Sequence, residues 1–147
     1  MNRKSLIVLM GSILSVINLA CADPLLEKMG NVAKSDNSGN TTYYYDSSSH
    51  RVGKSVVSGN TITYYAATEH TLGKAVKDGG NVTYYNSSGV RIGGSKTNNS
   101  RTDYYDKNNK HQGSSQTNNN RTDYYNSNNK RVGSSDKSGN VEQYRRN

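Results

Sequence analysis

The sequence predicts an all-β protein made of tandem 20-residue repeats that form an antiparallel β-meander or a β-solenoid. Glycines recur every twenty residues from Gly53 to Gly133, and pairs of tyrosines keep the same step from 44/45 to 124/125. Each unit also combines β-branched and aromatic residues with Gly/Asn turns, which is the composition of short strands joined by tight turns. A fixed period of this length is typical of arrays in which each unit stacks on its neighbours.

Each unit contains two predicted strands. Segments such as 60–65 and 81–85 predict the first strand, and 51–56 with its counterparts predicts the second. Strand alternation places Tyr64 and Tyr84 on the buried face and Tyr65 and Tyr85 on the outer face. Hairpin pairing of consecutive strands would give a meander, which the Gly/Asn turns favour slightly. One coil per unit would give a solenoid, which the even spacing favours.

Three segments divide the chain. Residues 1–22 are predicted to be a signal peptide, residues 23–32 an N-terminal cap segment, and residues 33–147 the repeat domain, with five full repeats and one partial repeat. In the cap segment, Asp23 and Pro24 are expected to open a single helical turn whose apolar residues cover the exposed end of the array. Units four and five are rich in Asn and Ser, a composition that also fits disorder.

The first residues have the layout of an export signal. A positive start at residues 2–4 precedes an apolar run from Leu6 to Leu19 and the small-residue site Ala20-Cys21-Ala22. Cleavage is predicted after Ala22, which makes the protein exported, either periplasmic or secreted, with no transmembrane segment in the mature chain. The alternative is lipid attachment at Cys21, and the sequence around it matches a lipobox only in part.

Composition argues against an enzyme. Only 31% of the 147 residues are hydrophobic, and the formal net charge is +8, which leaves little apolar surface for an ordinary enzyme core. No catalytic group is predicted, and neither a cofactor nor a metal is expected. His50 and His70 share a position in adjacent units, but a third ligand is missing from that column.

A basic column beside outward tyrosines is the predicted binding surface. Such a surface suits a polyanion, which would be held by charge and by stacking on the aromatic rings. The expected partners are a polysaccharide, lipopolysaccharide phosphate or DNA, or a protein at the cell surface. The simpler interpretation is a set of charges that keeps the sheet soluble. The predicted binding residues are Arg51, Arg91, His111, Arg131, Lys110, Lys130, Tyr65, Tyr85, Tyr105 and Tyr125.

The stretches at residues 44–51 and 84–91 resemble the Tyr-Asp repeats of Rhs-type bacterial proteins. The resemblance covers residues 33–147, although Ala66, Asn86 and Asn126 replace the acid and the Gly-Arg pair of that family is never intact. It implies antiparallel hairpins at the surface of an exported bacterial protein, and it implies no enzyme. The predicted function is therefore a surface or secreted interaction module. The alternative is a self-assembling, amyloid-like structural protein.

Overall fold

The computed structural model describes residues 23–146. The predicted signal peptide, its cleavage after Ala22 and the lipid alternative at Cys21 therefore lie outside the described residues. The elements are α1 (Pro24–Glu27), β1 (Lys34–Ser38), β2 (Thr41–Tyr45), β3 (Arg51–Ser58), β4 (Thr61–Ala66), β5 (Thr71–Asp78), β6 (Asn81–Asn86), β7 (Arg91–Asn98), β8 (Arg101–Asp106), β9 (His111–Asn118), β10 (Arg121–Asn126), β11 (Arg131–Ser138) and β12 (Val141–Arg146).

The twelve strands form one closed antiparallel barrel. Each strand pairs with its neighbours in sequence, and β1 pairs with β12. The predicted antiparallel meander is confirmed, whereas the solenoid is wrong. Units four and five, for which disorder was the alternative, supply strands of this barrel.

Closure repeats a junction that the chain has already used. At the closing seam Asp36 lies opposite Val141, in the register that joins β2 to β3 through Thr41 and Val56. The sheet therefore closes on itself without any special sequence at the seam. Closure pairs the backbone groups that would line the edges of an open meander.

Two kinds of connection join the strands. At one end of the barrel the turns have two residues, and the first of them has positive φ, as in Gly39 (φ 61°) and Asn99 (φ 54°), which is the conformation of a tight hairpin turn. At the other end, an Asp or Asn after four of the five tyrosine pairs closes a longer connection, and Ala66 takes this position after the pair at 64/65. The side chain of Asn126 accepts hydrogen bonds from the backbone N–H groups of Asn128 (2.9 Å) and Lys130 (3.0 Å). Aspartate and asparagine have the same acceptor oxygen, which explains why the two alternate at this position.

One tyrosine of each pair fills the lumen. Tyr44, Tyr64, Tyr84, Tyr104 and Tyr124 are buried, as predicted from strand alternation. Several of their hydroxyls share a hydrogen bond with a serine on the neighbouring strand. These pairs are Tyr44 with Ser55 (3.0 Å), Tyr104 with Ser115 (2.7 Å) and Tyr124 with Ser135 (3.3 Å). The same contact joins Tyr144 to Ser35 (3.3 Å) across the closing seam.

The aliphatic residues near the start of the second strand of each unit contribute little to the core. Of Val52, Leu72, Ile92 and Val132, only Leu72 is buried. The reason is a register shift at each junction between units, where Tyr44 faces Gly53 but Tyr45 faces Arg51. Residue 52 is thus the extra residue of a β-bulge, and a bulged residue is displaced from the regular alternation.

The segment at residues 23–32, named the plug here, occupies the lumen. Its residues Leu25, Leu26 and Val32 have no exposed surface. The lumen makes room for it with glycines: a Cβ on Gly53 would come within 2.5 Å of Met29 Sδ, and one on Gly73 within 2.5 Å of Leu25 Cδ2. The predicted helical turn therefore forms, but it fills the barrel. It does not cover an open end, because the closed sheet has no end strand to cover.

Candidate functional site

A groove crosses the outer face of the barrel where one side chain is missing. Gly94 of β7 lies between Thr83 of β6 and Tyr105 of β8. A longer side chain stands at the equivalent position of every other unit, namely Lys34, Lys54, Lys74, Ser114 and Ser134. The missing side chain leaves a groove of about 340 Å³, which is large enough for a group the size of a monosaccharide.

Cationic, amide and aromatic side chains line this groove. Arg91 and Lys96 supply positive charge, Asn81 and Asn109 supply amide groups, and Tyr105 supplies an aromatic ring. Arginine and lysine bind phosphate, sulfate and carboxylate groups. Amides and a tyrosine ring add hydrogen bonds and a flat apolar surface for a polar ligand.

Neutral acceptors hold the guanidinium of Arg91 in place. Nη1 donates to the carbonyl oxygen of Lys107 (2.7 Å), and Nη2 donates to Asn109 Oδ1 (2.7 Å). Within residues 23–146, no carboxylate lies at ion-pair distance from Arg91 or from Lys96. The groove therefore has two positive charges that are not neutralised, and one of them is fixed in orientation.

The other basic residues at the repeat position of Arg91 lie close to carboxylates. Arg51 forms an ion pair with Glu69 (2.7 Å), His111 lies 3.2 Å from Asp103, and Arg131 pairs with Asp123 (2.7 Å). A cation already paired on the surface gains little from binding another anion. This contrast distinguishes Arg91 from the three other basic residues at its position in the repeat.

The carboxylates nearest to the groove are engaged elsewhere. Burial acts to raise the pKa of Asp103, but hydrogen bonds from Arg101 and His111 outweigh it and hold that pKa below its usual range. Asp106 caps the adjacent connection by accepting from the backbone of Asn108 (2.8 Å) and Lys110 (2.9 Å). Neither carboxylate lies at ion-pair distance from Arg91.

The structure separates much of the predicted column. Arg51, Arg91 and Arg131 lie on β3, β7 and β11. These three strands are four apart in a closed barrel of twelve, so they lie on three different sides of it. The groove gathers Arg91 and Tyr105. His111 lies beside them, with its ring 5.7 Å from that of Tyr105, and Lys110 is on the connection that Arg91 contacts.

The remaining predicted residues lie outside the groove. The rings of Tyr65 and Tyr85 are covered by Lys54 and Lys74, whose Nζ atoms lie 5.4 Å and 5.9 Å from the ring centroids. Tyr125 is on β10 and Lys130 on the connection that follows it. The predicted residues therefore do not form one continuous surface.

Sequence reasoning missed Gly94, Lys96, Asn81 and Asn109. Gly94 had a visible signal, because it interrupts a column that otherwise carries lysine or serine. The other three are ordinary surface residues in a chain rich in Asn and Lys. Only the register of β6 against β7, which sets Asn81 opposite Lys96, shows that they meet.

The histidine pair considered for a metal lies on two different connections. His50 is 3.4 Å from Asp46, and the ring of His70 is 2.7 Å from Thr68 Oγ1. Within the part of the chain that the structure describes, no group of three or more His, Cys, Asp or Glu residues is placed to hold a metal ion. No helix among the same residues is long and apolar enough to cross a membrane.

Comparison with known proteins identifies a fold and no family. No family model matches the chain, and no curated protein does. The crystal structure of a protein from Arabidopsis thaliana superposes with a TM-score of 0.62 at 11% identity, covering 78% of each chain. A mutant of TarM from Staphylococcus aureus matches at 13% identity over 72% of this chain and 22% of that one, with a TM-score of 0.26. The first likeness shows a shared fold, and the second is too low to add to it.

Proposed function

We propose that the protein is an exported interaction module that binds an anionic saccharide of the cell envelope through the groove at Gly94. The observation that carries the proposal is the pair Arg91 and Lys96, which have no carboxylate at ion-pair distance among residues 23–146 and stand beside Tyr105 in a groove of about 340 Å³. Arg91 and Lys96 would hold the phosphate, sulfate or carboxylate of the saccharide. Tyr105 would contact the apolar face of the sugar ring, and Asn81 and Asn109 would bond its hydroxyls.

A saccharide fits this groove better than DNA does. Proteins that bind nucleic acid present a basic groove or stripe that follows many phosphates. Here Arg51 and Arg131 face other sides of the barrel and are paired with Glu69 and Asp123. A single groove with two cations suits one anionic group of a polymer, with neutral contacts around it.

Self-assembly into a matrix is the alternative function. Growth of a fibre by strand addition needs unpaired backbone groups at a sheet edge. The pairing of β1 with β12 leaves the described barrel without such an edge. This observation favours the interaction module over the assembling protein.

Replacing Arg91 by alanine is expected to weaken saccharide binding by about tenfold or more, because a hydrogen bond to a charged group contributes about 1.5–3 kcal/mol. The measurement is calorimetric titration with a short acidic oligosaccharide, such as a heparin fragment or a phosphorylated lipopolysaccharide core. Affinity is also expected to fall as salt rises. A short DNA oligonucleotide serves as the second probe.

Arg131→Ala is the matched control, because it removes the same charge from the same repeat position on another face of the barrel. Its affinity is expected to stay within about twofold of the parent protein, since surface ion pairs contribute little. Equal losses in the two variants would contradict the groove as the site. Tighter binding of DNA than of the oligosaccharides would overturn the saccharide proposal.

A further inference from the structure

The lumen contains a column of serines with one exception. Ser35, Ser55, Ser95, Ser115 and Ser135 recur every twenty residues, and Ala75 occupies the equivalent position of β5. Several of these serines hydrogen bond the tyrosine of a neighbouring strand, as Ser55 does with Tyr44 and Ser115 with Tyr104. Ala75 lies in register with Ile62 on β4. Alanine has no hydroxyl, so Ala75 cannot give Tyr64 the hydrogen bond that Ser55 gives Tyr44.

Tyr64 has a different partner. Its hydroxyl donates to Asp23 Oδ2 at 2.8 Å, and both residues are fully buried. The other oxygen of this carboxylate begins the plug helix, since Asp23 Oδ1 accepts from the backbone N–H groups of Leu25 (3.0 Å) and Leu26 (3.3 Å). One carboxylate therefore joins the start of the plug to the wall of the barrel.

The surrounding residues favour the same location. Gly73, which lies opposite Tyr64 across β4 and β5, has no side chain where Leu25 passes, and a Cβ there would approach Leu25 Cδ2 to 2.5 Å. A buried carboxylate must find hydrogen-bond donors, because leaving it without them costs several kcal/mol. In a barrel of near-identical units, a tyrosine whose unit provides no serine at this position is the feature that sets one position apart.

We propose that the lumen is a carboxylate-selective docking site for residues 23–32, with Tyr64 as the receptor for Asp23 and Ala75 as the substitution that frees Tyr64 for this role. The occupant is a segment of this chain in which an acidic residue is followed directly by a short apolar helical turn. The site selects the acid through the Tyr64 hydroxyl, and it selects the apolar turn through the glycines that make room for it.

The test compares Asp23→Ser, Ala75→Ser and the double variant in the full chain. Serine at position 23 keeps the helix cap but is too short to reach Tyr64. We expect Asp23→Ser to lower the midpoint of denaturant unfolding and to speed amide exchange of residues 25–32 about tenfold or more. In that background Ala75→Ser gives Tyr64 a new partner, so the midpoint should recover while plug exchange stays fast. Ala75→Ser alone should have little effect on the unfolding midpoint or on the amide exchange of the plug.

Two further variants keep the result interpretable. Tyr64→Phe removes the same hydrogen bond from the barrel side without leaving a buried hydroxyl, and it should also speed exchange in the plug. Ser115→Ala removes the partner of Tyr104, so it should lower the midpoint and leave plug exchange unchanged. The proposal is overturned if plug exchange in Asp23→Ser matches the parent protein. It is equally overturned if Ala75→Ser shifts the midpoint by the same amount in both backgrounds.

Discussion

Replacing Gly73 by alanine is expected to destabilise the protein by on the order of 4 kcal/mol or more, which is enough to unfold a small domain. Gly73 has φ +154°, and a Cβ there would overlap the carbonyl oxygen of Tyr85 and lie 2.5 Å from Leu25 Cδ2. The first contact is with backbone and cannot move aside, and the second displaces the plug. The measurement is the free energy of unfolding from a urea titration followed by circular dichroism.

Gly93→Ala is the control for this prediction. It lies at the same repeat position, but its Cβ would be 3.0 Å from the carbonyl oxygen of Tyr105 and 3.8 Å from Pro24 Cγ. We expect a loss of roughly 1–2 kcal/mol, because this neighbour must give way by only a few tenths of an ångström. Equal stability of the two variants would contradict the close packing of Tyr85 and Leu25 around Gly73.

Stability is expected to fall as the pH rises from about 5 to about 7. Burial raises the pKa of Asp23 from 3.8 to about 7 and that of Glu142 from 4.5 to about 7. In this range the folded state holds protons that the unfolded state has released. The free energy of unfolding therefore decreases as the pH increases. At a full slope of about 1.4 kcal/mol per pH unit, which falls to about half near pH 7, each acid contributes on the order of 2 kcal/mol between pH 5 and pH 7. Urea titrations at several pH values measure the slope.

Asp23→Asn and Glu142→Gln are the controls, because both replacements keep a carbonyl acceptor and cannot titrate. Each is expected to reduce the slope, and the double variant to flatten it. The acids on the outer face act in another window: hydrogen bonds from Arg131 and Arg121 outweigh the effect of burial on Asp123 and lower its pKa, so its contribution is lost only in acid, below about pH 4. If the parent protein instead becomes more stable from pH 5 to pH 7, the raised pKa values of Asp23 and Glu142 are contradicted.

Much of the fold could be predicted from the repeat. The spacing of the tyrosine pairs predicted two strands per unit and the inward direction of Tyr64 and Tyr84, because both follow from local alternation. Closure into a barrel was not predictable in the same way. It depends on how many units the chain has and on the twist that brings β1 to β12, and neither is a property of one repeat.

The plug shows a second limit of sequence reasoning. Leu25, Leu26 and Met29 were recognisable as an apolar turn, but their location depends on a lumen that exists only after closure. Glu142 shows the same limit. It occupies the buried position that Ile62 and Val82 hold in their units, and it bonds Ser135 Oγ at 2.6 Å, whereas the sequence alone shows only an ordinary charged residue near the end.

The candidate site was predictable in part. Arg91 and Tyr105 were among the predicted binding residues because they belong to repeating columns. The columns did not show that Arg51 and Arg131 would face other directions and be neutralised by Glu69 and Asp123. The groove depends on Gly94, which replaces the lysine or serine of the other units. A search for residues that recur in every unit does not find a position where one unit differs.

The most direct test of the proposed function is a titration of the labelled protein with a short acidic oligosaccharide, followed by amide nuclear magnetic resonance. The account predicts that shifts concentrate at Arg91, Gly94, Lys96 and Tyr105, while the equivalent positions Arg131 and Ser134 on β11 stay unchanged. Shifts spread evenly over all units, or confined to another face of the barrel, would contradict the groove as the binding site.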